Sequence, residues 1–418
     1  MVYTPHPLFL HKLSSYELFL FNKRAFDRTP AHLKYNISMN HPLRVMAIFG
    51  TRPEAVKMAP IVKHLASLPG QVETSICVTA QHRQMLDQVL NLFEITPDID
   101  LDLMHPNQGL AELTARIFNE LDPVLKSIKP DWMLIQGDTT TVMAASVLGY
   151  YNKIKIGHVE AGLRTHNKWQ PFPEELNRRI ASVTADLHFA PTEHNRQNLL
   201  REGVPNKNIE VTGNPVIDAL QHISQLPTPP EAINLLKKTG VTTENRKLIL
   251  VTAHRRENFG LPINDICRAI KHLAEIYSDQ AAFIYPVHLN PNISQPVHKA
   301  LSGIPNISLL EPLDYLPMIH LIKQSTLILT DSGGIQEEAS TLGIPTLVLR
   351  EHTERQEGVE AGTLKLVGTN PDLIVAEAQT LLDNPAAHAA MAGAANPYGD
   401  GHAAERIVQA VLDYQGNH

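Results

Sequence analysis

The feature that most constrains the fold is an alternation of short apolar runs with longer segments of helical period, which begins at residue 43 and occurs in two series. Such alternation favours β–α–β units, in which parallel strands form a sheet covered by helices on both faces. Between the two series lies Gln225–Pro230, whose proline content is typical of a linker. The pattern therefore predicts two doubly wound α/β domains in tandem.

The apolar runs give the positions of the predicted strands. In the first series they lie at 43–49, 74–79, 131–135, 154–158, 186–190 and 208–211, with helices at 54–68, 82–93, 109–127, 140–150, 174–184 and 193–202. In the second series strands are predicted at 247–252, 282–286, 307–310, 326–330 and 346–349. Asp98, Asp100 and Asp102 alternate with apolar residues, a pattern that favours an edge strand over a metal-binding cluster.

Composition excludes several classes of protein. The chain has 36 Lys and Arg residues and 43 Asp and Glu residues, which gives a formal net charge of −7. This acidic balance disfavours a general nucleic-acid binder. No apolar run approaches the roughly 20 residues that span a bilayer, so no membrane association is expected. The two cysteines, Cys77 and Cys267, lie in apolar runs, which excludes a disulfide framework and predicts a reducing, cytoplasmic location.

The first 40 residues differ from the rest of the chain. Pro7–Phe26 is rich in aromatic and apolar residues but contains charges throughout and lacks a small-residue cleavage site, so a signal peptide is disfavoured. Met39 lies just before the first convincing strand. We expect residues 1–40 to be an N-terminal extension, with Met39 as the functional start and residues 1–38 dispensable.

Neither series carries a dinucleotide fingerprint after its first strand. The near match Gly399–Ala404 has no preceding strand, and the zinc-binding sequence His-Glu-x-x-His is absent. The sequence therefore predicts no cofactor and no metal.

Polar segments follow the predicted strands at the sheet edge where ligands bind in such folds. In the second series, Asp331–Glu338 follows a strand and opens a helix, whose two glycines and free N–H groups suit a diphosphate. Glu338 is placed to accept the hydroxyls of a ribose, with helix capping as the alternative. Positive charge for the phosphates is expected from Arg355, Arg52 and Lys57, with plain surface ion pairs as the alternative.

The first series contributes three carboxylates near one sheet edge: Asp138, Glu160 and Glu174. Carboxylates that converge on a cleft raise one another's pKa, which makes them candidates for general acid and base catalysis. His254, from the second series, adds a group that titrates near neutrality. Together these residues predict a nucleotide-sugar site built for proton transfer.

From Leu43 to the C-terminus, the chain resembles the bacterial non-hydrolysing UDP-N-acetylglucosamine 2-epimerases, which are related in fold to GT-B glycosyltransferases. The resemblance rests on long strings in one order: FGTRPEAVKMAP, VTAQHRQMLDQVL, GDTTT, GHVEAGLRT, PEELNRR, VTGNPVIDAL, AHRREN, YPVHLNP, TDSGGIQEEA, TERQEG and NPYGDG. It implies two Rossmann-like domains, 41–213 and 214–396, with the active-site cleft between them and a helix near 397–415 that packs back on the first.

The resemblance also implies a reaction. Such enzymes convert UDP-N-acetylglucosamine to UDP-N-acetylmannosamine by anti elimination of UDP to a 2-acetamidoglucal and re-addition of UDP. The product would supply a cell-surface polysaccharide, and a homodimer without cofactor is expected. By resemblance, Asp138, Glu160, Glu174 and His254 are catalytic. The UDP portion would be bound by Arg52, Lys57, Ser332, Gly333, Gly334, Glu338, Arg355, Leu313 and Met318.

Two details depart from, or extend, this pattern. Some relatives have Gln and Phe where Leu313 and Met318 stand, so side-chain recognition of uracil by an amide is absent at residue 313. Gln81, Gln84 and His288 match residues that line a second, activating substrate site in some relatives. The resemblance therefore implies that the substrate can also act as an allosteric activator at these three residues.

Three alternatives remain open from the sequence. A hydrolysing epimerase would release UDP and free N-acetylmannosamine, a GT-B transferase would pass the sugar to an acceptor, and a regulator would bind the sugar nucleotide without turnover. The sequence leaves open which carboxylate removes the C2 proton.

Overall fold

The computed structural model describes residues 41–80, 83–103 and 108–414. The predicted extension at residues 1–40 lies outside the described residues, as do Gln81 and the side chain of Gln84. Within the described ranges, every helix is too short or too polar to cross a membrane.

The first sheet has seven parallel strands. These are β1 (Leu43–Phe49), β2 (Val72–Val78), β3 (Ile99–Asp100), β4 (Trp132–Gln136), β5 (Lys155–Val159), β6 (Leu187–Ala190) and β7 (Ile209–Val211). Their order is β3-β2-β1-β4-β5-β6-β7, with Val45 of the inner strand β1 paired to Thr74 on one side and Trp132 on the other. The predicted strands of this half are confirmed, with ends that move by at most two residues.

Helices cover both faces of this sheet. They are α1 (Arg52–Ala66), α2 (Arg83–Leu92), α3 (Leu110–Ile128), α4 (Thr140–Tyr151), α5 (Glu174–Thr184) and α6 (Glu193–Arg201), as predicted to within two residues at each end. Alternate residues of β1 enter different cores: Val45 and Phe49 pack in one cluster, Met46 and Ile48 in another. A strand buried on both faces reads as a continuous apolar run, which explains its clear signal in the sequence.

Strand β3 is the predicted edge strand, but it is only two residues long. Asp98 precedes it and accepts a hydrogen bond from the backbone N–H of Ile76 at 2.8 Å. Asp100 accepts one from the backbone N–H of Asp102 at 3.1 Å. These carboxylates therefore help to hold the end of the sheet.

The second sheet has six parallel strands. These are β8 (Lys247–Thr252), β9 (Ala281–Pro286), β10 (Ile307–Leu310), β11 (Leu327–Thr330), β12 (Thr346–Val348) and β13 (Leu364–Leu366), in the order β10-β9-β8-β11-β12-β13. The five predicted strands are confirmed. Strand β13 was not predicted because it is three residues long and only Leu364 is fully buried, so it carries no periodic signal.

The remaining helices follow the first sheet in the chain. They are α7 (Pro215–Ser224), α8 (Pro230–Lys238), α9 (Leu261–Ile276), α10 (Pro291–Leu301), α11 (Tyr315–Gln324), α12 (Gly333–Thr341), α13 (Gln356–Glu360), α14 (Pro371–Asp383), α15 (Pro385–Ala392) and α16 (Ala403–Asp413). The predicted linker forms the short connection between α7 and α8.

Two of these helices join the halves. Helix α7 buries Val216, Ile217 and Leu220 in a core that also contains Phe49 of the first sheet and Leu250 of the second. Helix α16, near the C-terminus, packs into the same core. The carboxyl ends of the two sheets are thereby held against one another, and the domain limits 41–213, 214–396 and 397–415 stay a prediction.

Candidate active site

The loop after β1 is anchored by a buried carboxylate. Glu54 accepts hydrogen bonds from the backbone N–H groups of Gly50 and Thr51 at 3.0 and 2.7 Å, and from the Thr139 hydroxyl at 2.7 Å. Because Thr139 lies in the loop after β4, one side chain fixes two strand-end loops to each other. This anchor sets the start of α1 and thus the position of Lys57, one turn further on.

Glu160 is the most constrained of the predicted catalytic residues. It follows β5 with φ of 62°, a left-handed conformation that costs energy for a residue other than glycine and is concentrated at functional sites. The Lys57 Nζ atom lies 2.5 Å from its Oε1, and the Gln136 amide donates to its Oε2 at 2.5 Å. Burial opposes ionisation, but the charges of Lys57 and Arg355 outweigh it and lower the pKa of Glu160. Glu160 is therefore a buried carboxylate anion.

Asp138 and Glu174 are both placed by the first turns of helix α5. The Asp138 carboxylate pairs with Arg178 at 2.6 Å, and its backbone carbonyl accepts from the Asn177 amide at 2.9 Å. Glu174 is the first residue of the helix, and its Oε2 is buried without a hydrogen-bond partner among the described residues. A buried carboxylate oxygen in that state indicates a place where a ligand group or proton belongs.

A buried glutamate next to Glu174, which holds a neighbouring loop and two arginines, was not predicted from the sequence. The fully buried Glu175 accepts hydrogen bonds from the backbone N–H groups of Thr165 and His166 at 3.1 and 3.2 Å. It also lies 3.3 Å from Arg179 and 3.7 Å from Arg178. The i,i+3 and i,i+4 spacing of acidic and basic residues in PEELNRR is the signal that could have found it.

In the second sheet, helix α12 begins where the sequence predicts the diphosphate. Ser332 is the residue before the helix, and the first-turn N–H groups of Gly333 and Gly334 have no partner within the helix. A Cβ at Gly333 would lie 2.9 Å from the Arg355 guanidinium, whereas a Cβ at Gly334 would meet open space. A guanidinium packed against a helix N-terminus is an arrangement suited to anions.

Glu338, one turn into α12, is buried and accepts a hydrogen bond from the Tyr315 hydroxyl at 2.9 Å. Burial raises the pKa of Glu338 to about 7, against the effect of that hydrogen bond. The charges of Arg52 and Lys57 also act on this carboxyl, so cations from the first half reach the second. The predicted uracil contacts Leu313 and Met318 flank Tyr315 in sequence and pack, half-buried, on the core.

The loop after β8 is held by another buried carboxylate, Asp331. Its oxygens accept hydrogen bonds from the backbone N–H groups of His254 and Arg255, both at 2.8 Å, and from the Asn258 amide at 2.9 Å. The His254 ring stacks on His288, with centroids 5.7 Å apart and planes at 18°. The predicted allosteric residue His288 thus contacts a predicted catalytic residue.

The ionisation of His254 follows from this setting. Burial lowers its pKa, and the nearby charges of Arg255 and Arg52 lower it further, against the opposing charge of Asp331. His254 is therefore neutral near pH 7 and can donate a hydrogen bond from one ring nitrogen. Within the described ranges, no group of three His, Cys, Asp or Glu residues is arranged to hold a metal ion.

Two further residues missed from the sequence connect the halves. The Asn214 amide donates to Glu160 at 3.1 Å and to Glu337 at 3.2 Å, and Glu337 pairs with Arg355 at 2.9 Å. The strings VTGNPVIDAL and GGIQEEA contain both residues, but an amide and a helical glutamate carry no chemical signal until the fold brings them together.

Two Rossmann-like sheets, with polar loops meeting at their carboxyl ends, define the GT-B-like class of sugar-nucleotide enzymes. Within that class the chain belongs to the UDP-N-acetylglucosamine 2-epimerase family, whose model matches residues 66–412. Arg52 and Lys57 lie before the matched segment.

Individual relatives agree with this assignment. A UDP-N-acetylglucosamine 2-epimerase of Yersinia pestis is 53% identical over 375 residues, which cover 89% of this chain and 99% of the relative. The crystal structure of the Neisseria meningitidis enzyme bound to UDP-GlcNAc has a TM-score of 0.82 and 47% identity, covering 89% of this chain and 100% of that one. The Methanocaldococcus jannaschii enzyme, in complex with UDP-GlcNAc and UDP, has a TM-score of 0.75 and 32% identity over 88% and 99% of the two chains.

Proposed function

We propose that the chain interconverts UDP-N-acetylglucosamine and UDP-N-acetylmannosamine at C2 of the sugar, without net hydrolysis. Family membership supports the substrate, since the relative from Neisseria meningitidis was solved bound to UDP-GlcNAc. The observation that carries the proposal is the contact of Lys57, an expected diphosphate ligand, with Glu160, an expected acid–base group, at 2.5 Å. This contact supports a single cleft for nucleotide binding and proton transfer.

The nucleotide would bind along the second sheet. The diphosphate would accept hydrogen bonds from the first N–H groups of α12 and from Arg355, with Arg52 and Lys57 approaching from the first half. The Glu338 carboxylate would accept both ribose hydroxyls. Leu313 and Met318 would pack on the uracil ring, with its polar edge left to backbone groups.

The reaction needs a base, an acid and a place for the leaving UDP. A carboxylate removes the proton from C2 as the bond between C1 and the diphosphate oxygen breaks, which gives 2-acetamidoglucal and UDP. A second group then protonates C2 from the opposite face while a diphosphate oxygen re-forms the bond to C1, so no atom is gained or lost. Asp138, Glu160 and Glu174 supply the acid and base groups. Neutral His254 would donate a hydrogen bond to the diphosphate as its charge develops.

The proposal is tested by incubating the protein with UDP-N-acetylglucosamine in D₂O and following C2 by NMR. We expect a mixture of both UDP-sugars, deuterium at C2 and little free UDP. Stoichiometric release of UDP with free N-acetylmannosamine would contradict the proposal in favour of a hydrolysing epimerase. No exchange at C2 would contradict it in favour of a transferase or a regulator.

Further parts of the proposal rest on the resemblance. We propose a cytoplasmic homodimer that supplies N-acetylmannosamine for a surface polysaccharide, with a second substrate molecule bound at Gln81, Gln84 and His288 as activator. A sigmoidal dependence of rate on substrate that becomes hyperbolic in His288→Ala would support the activating site, and unchanged kinetics would contradict it. A chain that starts at Met39 should retain full activity, and its loss would contradict a dispensable extension.

A further inference from the structure

The side chain of Asn214 occupies the boundary between the two halves of the cleft. It is 1% exposed and lies at the N-cap of α7, where its Oδ1 accepts a hydrogen bond from the backbone N–H of Val216 at 3.2 Å. Its own backbone N–H donates to the Tyr398 carbonyl at 2.8 Å. Because Oδ1 is committed to the cap, the orientation of the amide is fixed, and both N–H groups of Nδ2 point away from the helix.

Those two N–H groups meet two carboxylates from different halves. One lies 3.1 Å from Oε1 of Glu160, after the first-sheet strand β5, and the other 3.2 Å from Oε2 of Glu337, in helix α12 of the second half. An asparagine amide has two N–H donors, so its donor capacity is fully used. No residue with a single donor can make both contacts.

Each of the two carboxylates also holds one cation expected to bind the diphosphate. Lys57 lies 2.5 Å from Glu160, and Arg355 lies 2.9 Å from Glu337. A diphosphate in the cleft would compete for both cations. Asn214 is a donor that the nucleotide does not compete for, because it is buried and held by the cap.

We propose that Asn214 is a positioning residue whose amide clamps the catalytic carboxylate Glu160 to the nucleotide-binding helix α12 through Glu337. This inference rests on the proposed function. The clamp fixes the distance between the acid–base group and the diphosphate site, and it keeps Glu160 charged beside the neighbouring Glu337 when their cations turn to the substrate. Without the shared donor, two such carboxylates tend to share a proton instead.

Other charged and titratable groups face this pair and stay in place in the test described below. They come from β5, α1, α12 and the segment around α13, and from the loop before α16: His158, Lys57, Glu338, Glu354, Arg355, Glu357 and Tyr398.

The test separates the clamp from the cap. Asn214→Asp keeps an oxygen that can cap α7, since Asp and Asn are comparable N-caps, but it replaces the donors with a third carboxylate. Asn214→Ser keeps the cap with one donor. The matched control is Asn384→Asp, an exposed N-cap of α15 that accepts from Ala386 and Ala387 and lies outside the cleft.

The readout is the pH dependence of kcat/KM for epimerisation. We expect Asn214→Asp to lose at least about tenfold at pH 7.5, and the acidic midpoint to rise by about one pH unit because Glu160 is harder to ionise. Asn214→Ser should fall between this variant and the wild type, and it provides the test if Asn214→Asp does not fold. The control should match the wild type.

An unchanged profile, or an equal loss at every pH with the midpoint in place, would overturn the clamp and leave only a structural role. The wild type is assayed first, and its failure to turn over would contradict the proposed function instead. In that case the pH dependence of UDP binding is measured with the same variants. An upward shift of its acidic midpoint in Asn214→Asp would support the clamp, and no shift would overturn it.

Discussion

Two buried carboxyl groups in one cleft have pKa values that move in opposite directions. Glu160, after the first sheet, has its pKa lowered, whereas burial raises the pKa of Glu338, in the second half, to about 7. The difference lies in the partners. Glu160 is in contact with the ammonium of Lys57, whereas the closest partner of Glu338 is the neutral hydroxyl of Tyr315.

Both groups are buried, so the cation beside Glu160 accounts for its lower pKa and leaves it as the carboxyl that is ready to act as a base. In the first half, the charges of Lys57 and Arg355 favour the anionic form of Glu160. In the second half, burial raises the pKa of Glu338 to about 7, so a ligand or a higher pH favours its ionisation. For the proposed roles of Glu160 and Glu338, we therefore expect proton transfer and ribose binding to have different pH dependences.

The largest expected effect tests the first half of the comparison. Glu160→Gln removes the proposed acid–base group and the partner of Lys57, and we expect kcat to fall about 10³-fold. Turnover is measured by NMR. The control is Glu377→Gln, which breaks the exposed pair of Glu377 with Lys365 at 2.5 Å. A Glu160→Gln enzyme within tenfold of the wild type would exclude Glu160 from the chemistry.

The next prediction concerns a variant in which Glu160, like Glu338, has no cation in contact with it among the described residues. Lys57→Met removes the cation but keeps most of the side-chain volume. The pKa of Glu160 should therefore rise, because burial raises it and the charge of Lys57 no longer lowers it. We expect a loss of about tenfold or more in kcat/KM at pH 7 that becomes smaller at pH 9. A matched substitution, Lys365→Met, should leave the profile unchanged. A loss of equal size at both pH values would mean that Lys57 acts only by binding the diphosphate.

The third prediction concerns stability and the raised pKa of Glu338. Its folded-state value of about 7 lies above that of an exposed carboxyl, so the folded chain holds this proton more tightly than the unfolded chain. The stability that the protonated Glu338 contributes is therefore fully present at pH values below the pKa of an exposed carboxyl. It is lost as the pH rises through 7. Glu338→Gln should remove this loss. Between pH 5 and pH 8, the free energy of unfolding of the variant should therefore rise by up to about 3 kcal/mol relative to that of the wild type. Urea denaturation at pH 5 and pH 8 measures the free energy of unfolding of both proteins. The same change with pH in the two proteins would contradict the raised pKa of Glu338.

The architecture was predictable because its signals are local. A run such as Leu43–Phe49 reveals a buried strand by itself, and the strand ends then direct attention to the loops that carry Asp138, Glu160 and Asp331. Short strands were not predicted: Leu364–Leu366 is defined by its pairing with Thr346–Val348, and three residues are too few to show a periodic pattern.

The contacts within the site were less predictable because they depend on distance in space. Asn214 acts between residues 54 positions before it and 123 positions after it, and nothing near it in sequence indicates either partner. Likewise, Glu160 and Glu338 are the same residue type in the sequence. The pKa of Glu160 is lowered beside the charged Lys57, whereas that of Glu338 is raised beside the neutral Tyr315. Residue types gave the candidates, and the fold determined their ionisation.

The smallest expected effect tests the neutral partner of the second carboxyl. Tyr315→Phe removes the hydrogen bond to Glu338, which costs about 1 kcal/mol of stability and raises the pKa of Glu338 further. We expect UDP affinity to fall about two- to fivefold at pH 7 and to approach that of the wild type at pH 9, where the carboxylate is ionised in both proteins. Calorimetric titration with UDP measures both values. Tyr277→Phe is the matched control, because Tyr277 donates to Asp383 at 2.7 Å at the end of α9, away from the cleft. An affinity loss that stays the same at pH 9 would show that the hydroxyl contacts the nucleotide directly, and the contrast between the two carboxyl groups would then rest on burial and Lys57 alone.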